Sequence, residues 1–188
     1  MLLYLGNLLK TTRKDSCGSG DNDGNAKVAI DKIEKGILKD GQNFKTEDHF
    51  FKVGGEGQPS EKGVELFALE LSEYIGCEVK GVYFSEAGSE STTGMTIGRY
   101  SGNNYTKSFS NGMRAAFISK SNYTLKNVKG FFHTHPQKGY SYDSRSKAAP
   151  ADIVGRDRDL KRIPGSKFYI LTRPYGYSSG YVKIDYTE

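Results

Sequence analysis

Two of the three histidines in this chain stand in one short run, Phe131-Phe132-His133-Thr134-His135-Pro136. Side chains alternate along a strand, so His133 and His135 fall on one face and Thr134 on the other. Neighbouring imidazoles on one face repel when both are protonated, and one shared metal ion resolves that conflict. Pro136 ends such a strand because it has no N–H for the ladder. The pair therefore sits at a strand end, where loops converge and water can enter. A catalytic zinc site takes three protein ligands and leaves a fourth tetrahedral position open. Asp152 is the candidate third ligand, within Ala149-Pro150-Ala151-Asp152-Ile153. That segment reads as the first turn of a helix with Pro150 at N1, where the helix dipole favours a carboxylate. The competing reading is that two histidines merely end a strand and Asp152 merely starts a helix. His49, alone in a polar segment, reads as a surface residue.

These residues need elements to position them. Val64, Phe67, Ala68, Leu71 and Ile75 recur with a 3.6-residue period, predicting a helix over 61–75 with Ser60 as N-cap and Gly76 as stop. Strand patterns follow at 78–85 and 92–100, joined by the turn Glu86-Ala87-Gly88-Ser89-Glu90, so a hairpin is expected. A short helix over 111–120, a buried strand over 128–133, a helix over 152–162 and closing strands at 168–172 and 180–186 complete the order. Upstream, the Gly/Ser/Asn/Asp stretch 15–25 reads as a linker. Residues 26–38 could form an amphipathic helix, and a short strand runs through Phe50-Phe51-Lys52-Val53. The division expected is a flexible lead over 1–25, an N-terminal extension over 26–61 and a main domain over 62–188. The fold class is α/β (α+β), a sheet with helices packed on it.

Composition bounds the function. The chain has 188 residues, 36% of them hydrophobic and 26% charged, with 13 Tyr and 10 Phe. That is enough for one cored domain and excludes full disorder. No run of 18 apolar residues exists, so no membrane span is expected. The first ten residues lack the charged start and cleavage site of a secretory signal. Cys17 and Cys77 cannot build a disulfide framework or a four-thiolate zinc site. The net charge of +5 is spread along the chain. Scattered charge sets solubility rather than nucleic-acid binding, so no nucleic-acid partner is expected. The Asn-X-Thr triplets at Asn104 and Asn122 read as chance matches.

Gly130-Phe131-Phe132-His133-Thr134-His135-Pro136 followed by Pro150-Ala151-Asp152-Ile153 resembles the JAB/MPN (JAMM) metalloprotease domain. The resemblance covers roughly residues 62–186. It implies a twisted mixed sheet flanked by helices, similar to cytidine deaminases. It implies that His133, His135 and Asp152 hold Zn²⁺, and that a glutamate on an earlier strand is the general base. The family's Glu-X-X-Gly pattern is matched by Glu78-Val79-Lys80-Gly81, directly after the first core helix. Glu90 is the rival, across the hairpin, and Glu86 lies in the turn. The implied activity is hydrolysis of peptide or isopeptide bonds, with a peptide or ubiquitin-like protein as substrate.

One position departs from the family pattern. A serine that helps hold the oxyanion usually stands three residues before the metal-binding aspartate, and here that position is Ala149. Ser141, Ser144 and Ser146 in the preceding loop 137–148 are candidate replacement donors, whereas Asp143 has no helix start after it and does not replace Asp152. The layout is similar to JAB-like toxin domains at the tips of secreted bacterial polymorphic toxins of the RHS type. Membership of that branch would imply delivery as a toxin tip and a cognate immunity protein as partner. Two alternatives stand beside the peptidase: a JAB-like binding module with little or no catalysis, which Ala149 motivates, and a basic nucleic-acid binder.

Overall fold

The computed structural model describes residues 25–26, 44–45, 49–75, 78–97, 123–137, 145–174, 176–177 and 180–188. The expected helix over 111–120, the linker before residue 25, Gly76, both cysteines and both Asn-X-Thr asparagines lie outside them. Of the stretch 26–38, only Ala26 is described. It is a strand residue, in a two-stranded antiparallel ribbon of β1 (Asn25–Ala26) and β2 (Phe44–Lys45).

Among the described residues, the main body is a six-stranded mixed sheet with two α-helices. Its elements in chain order are β3 (His49–Lys52), α1 (Glu61–Ile75), β4 (Lys80–Phe84), β5 (Gly94–Ile97), β6 (Val128–His135), α2 (Pro150–Arg162), β7 (Lys167–Thr172) and β8 (Val182–Asp185). The strand order across the sheet is β3-β5-β4-β6-β7-β8. β4 and β5 form the expected hairpin. Its turn uses Gly88 at φ +83°, a left-handed conformation that glycine adopts without a Cβ clash. β6 and β7 are parallel and the other pairs antiparallel. A parallel pair needs a crossover, and α2 lies within it. β3 is an edge strand of this same sheet, so the sheet draws on residues before position 62.

Alternation along β6 divides the molecule into two faces. Thr134 points to α1, where its hydroxyl donates to Ser72 Oγ at 2.6 Å. On this face Val64, Phe67, Ala68 and Leu71 of α1 pack with Tyr83, Met95, Ile97, Phe132 and Leu171 of the sheet. The four α1 residues are all fully buried. Each larger one contributes roughly 1.5–3 kcal/mol by burial, so periodicity and packing agree on where the core lies. Ser60 caps the helix as expected, its Oγ accepting the Gly63 N–H at 2.9 Å.

Gly81 is demanded by this packing. A Cβ there would come within 2.1 Å of the Phe132 ring and 2.3 Å of the Thr96 carbonyl oxygen. The opposite face carries a smaller cluster of Val82, Phe84 and Tyr123, with Phe50, Val128 and Phe131 against it. It also carries both β6 histidines.

Candidate metal centre

His133 and His135 close β6 on the face away from α1 and are 4% and 1% exposed. Their Nε2 atoms face each other at 3.0 Å. The register of β4 on β6 supplies the first carboxylate. Lys80 pairs with His133, and the pairing runs on past the end of β4. The Thr134 N–H donates to the Val79 carbonyl at 2.9 Å, and the Val79 N–H donates to Thr134 Oγ1 at 2.8 Å. One step further places Glu78 opposite His135, and Glu78 Oε1 lies 3.6 Å from His135 Nε2.

The second carboxylate arrives with the crossover. α2 begins at Pro150, with Ala149 as N-cap and Asp152 in its first turn. Asp152 Oδ2 accepts the Ala149 N–H at 2.9 Å and lies 3.5 Å from His133 Nε2. Burial works against this carboxylate, but the hydrogen bond and charge of His133 and the Ala149 N–H outweigh it. They hold the Asp152 pKa down at about 2. Burial lowers the His135 pKa, with the neighbouring His133 acting in the same direction, which favours its neutral, metal-binding form.

The structure thus brings together Glu78, His133, His135 and Asp152. Among the described residues, Glu78, His133 and His135 form a group whose ligand atoms all lie within 4.8 Å of one another, and Asp152, the expected third ligand, is not part of that group. Glu86 and Glu90 are exposed on the hairpin turn, at the opposite end of β4 from Glu78. Ala149 offers no side-chain hydrogen bond at the helix start. Ser146 is among the described residues and half-buried. Ser141, Asp143 and Ser144 lie outside them.

Two further participants escaped the sequence reading. The Arg145 carbonyl oxygen lies 2.9 Å from His135 Nδ1, and the Tyr186 hydroxyl lies 3.3 Å from His133 Nδ1. A backbone carbonyl carries no sequence signal. Tyr186 falls inside the strand pattern expected at 180–186, but only the β7–β8 pairing brings it beside β6.

The donor set fits a divalent cation. A carbonyl only accepts, so neutral His135 carries its proton on Nδ1 and turns an Nε2 lone pair into the site. Near that lone pair stand a second imidazole and the Glu78 carboxylate, while Asp152 lies against the His133 nitrogen. In a tetrahedral site with bonds of about 2.0–2.1 Å, ligand atoms stand about 3.3–3.4 Å apart. The His133–His135 and His133–Asp152 separations of 3.0 and 3.5 Å bracket that spacing. Hydrogen bonds from the far ring nitrogens orient such ligands. No helix among the described residues is long and apolar enough to cross a membrane. No protein-family model matches the chain, and comparisons with curated proteins and with solved structures also gave no match.

Proposed function

We propose that this chain is a zinc-dependent peptidase or isopeptidase of JAMM type. The observation that carries the reading is the convergence of His133, His135, Asp152 and Glu78 at one strand end, from three separate segments. His133, His135 and Asp152 are the ligands in this reading. Bound zinc supplies Lewis acidity toward a scissile carbonyl and lowers the pKa of a water. Glu78 Oε1 accepts the proton from that water and returns it to the leaving amine. The cross-strand position of Glu78 beside His135 suits this relay, because the carboxylate is held against the site without belonging to the same strand. The sequence resemblance to the JAB-like toxin branch supports a peptide or ubiquitin-like substrate, delivery as a toxin tip and a cognate immunity protein as partner.

Two substitutions separate the roles of the carboxylates. Asp152→Asn is expected to lose stoichiometric zinc, whereas Glu78→Gln keeps the metal and loses peptidase activity. Elemental analysis after dialysis, beside cleavage assays on peptides and ubiquitin-like conjugates, reads both. Zinc lost from Glu78→Gln and kept by Asp152→Asn would make Glu78 the ligand. No zinc in the unsubstituted protein, and none regained on addition, would end the metallopeptidase reading.

A second reading, a binding module with the same centre and little chemistry, is favoured by Ala149 alone. Losing one oxyanion donor typically costs about 100- to 1000-fold in rate. A large gain in activity with Ala149→Ser supports an attenuated enzyme; zinc binding without activity in both forms supports the module.

A further inference from the structure

This inference rests on the metal reading above. The two histidines differ in what holds their outer nitrogens. His135 gives its Nδ1 proton to the Arg145 carbonyl, a pure acceptor, so its tautomer is fixed. His133 faces the Tyr186 hydroxyl, which can donate or accept. When the hydroxyl donates, His133 carries its proton on Nε2. That proton points at the His135 Nε2 lone pair at 3.0 Å, with Asp152 Oδ2 at 3.5 Å. That single N–H then serves the His135 nitrogen in the metal-free site. When the hydroxyl accepts, the His133 proton sits on Nδ1, and two Nε2 lone pairs face one point.

We propose that Tyr186 is a positioning residue whose hydroxyl turns from donor to acceptor when the site takes up a divalent cation, so that His133 changes tautomer while His135 does not. One proton leaves Nε2 for water and one reaches Nδ1 from water, so the imidazole stays neutral. The tyrosine proton rotates and is not lost.

The surroundings hold Tyr186 for this task. Its ring packs edge-on to His133 at 5.6 Å and to Phe168 at 6.0 Å between centroids. Its carbonyl oxygen accepts from Arg156 Nη1 at 2.9 Å, and the same nitrogen donates to the Glu188 carbonyl at 2.8 Å. Arg156 lies one helical turn after Asp152. The helix that brings the carboxylate therefore also grips the segment that carries the hydroxyl.

The test uses the whole chain labelled with nitrogen-15, with imidazole tautomers read from long-range proton–nitrogen spectra before and after zinc. The expected result is His135 protonated on Nδ1 in both states, and His133 moving from Nε2 to Nδ1 on zinc binding. Tyr186→Phe keeps the ring and removes the hydroxyl. It is expected to weaken zinc about 10- to 100-fold in competition with a chromophoric chelator, and to alter the visible spectrum of the Co²⁺ form. A single His133 tautomer in both states, or a Tyr186→Phe affinity within about twofold of the unsubstituted protein, overturns the proposal and leaves the metal reading standing. Unsubstituted protein that binds neither zinc nor Co²⁺ overturns both.

Discussion

The sheet carries a polar cluster on each face, and the two are opposite in kind. On the α1 face, Glu65 is buried at 2% exposure and surrounded by donors. The Tyr83 and Tyr181 hydroxyls and Lys183 Nζ all donate to its carboxylate. Lys183 also lies over the Tyr83 and Tyr169 rings, 4.4 and 4.3 Å from their centroids. Charge and hydrogen-bonding capacity are matched, so this cluster is closed and structural. On the other face, two imidazole nitrogens and two carboxylates converge, a set made almost entirely of acceptors. Both clusters use glutamate, and burial alone does not tell them apart. The balance of donors against acceptors does: a donor-rich cluster completes itself, while an acceptor-rich one calls for a cation.

Removing the acceptors should give the largest effect. The His133→Ala/His135→Ala pair is expected to abolish stoichiometric zinc while the helical circular dichroism of the fold survives, because the α1 core lies on the other face. Zinc should raise the melting temperature of the unsubstituted protein, since a ligand that binds only the folded state stabilises it, and leave the pair unchanged. Equal zinc in both proteins would break the comparison. Opening the closed cluster should do the reverse. Lys183→Met removes a cation from buried Glu65 but leaves two tyrosine donors. A loss of about 1–3 kcal/mol is expected, read by urea unfolding, with zinc stoichiometry unaltered.

The two faces were unequally legible in the sequence. α1 was readable to its bounds because the 3.6-residue stripe and the Ser60 cap encode it locally. His133 and His135 were readable as neighbours on one strand face, and Asp152 as a first-turn helix residue, because strand alternation and a Pro-led helix start are also local. Glu78 was harder: its place beside His135 depends on the β4–β6 register, which the Thr134–Val79 hydrogen bonds fix. Tyr186 depends on a longer chain of pairings, through β7 and β8, that no local pattern carries. The same holds for Lys183 and Glu65, which meet only because β8 returns against α1. Gly81 lies between these cases. Its glycine is visible in the sequence, but the reason for it, the Phe132 ring and Thr96 carbonyl, is not.

Alkaline titration sharpens the contrast with a smaller effect. Burial and Glu65 raise the Tyr83 and Tyr181 pKa values above the ordinary 10.0. The folded state therefore keeps protons that the unfolded chain releases, and stability falls as pH rises through 10. Lys183 acts in the same direction. Burial opposes its charge, but Glu61 and Glu65 outweigh burial and raise its pKa above 10.5. Its contribution is complete below 10.5 and is lost as pH rises through the folded value. The melting temperature of metal-free protein should therefore drop above pH 10, with a shallower drop in Lys183→Met and Tyr181→Phe. An equally steep drop in both variants would place the alkaline sensitivity elsewhere.

The smallest effect concerns how loosely α2 is attached. No residue of α2 is buried, and Val154 is 69% exposed. Its start has only half of a capping box: Asp152 accepts the Ala149 N–H, but Ala149 returns nothing from its side chain. Ala149→Ser adds an acceptor for a first-turn N–H, worth about 1 kcal/mol. Because α2 packs weakly, that gain should appear as slower local opening rather than as greater global stability. Hydrogen exchange over 150–162 is expected to slow several-fold while exchange over α1 stays the same. Equal slowing on both helices would mean that α2 unfolds only with the α1 core, and that the two faces share one cooperative unit.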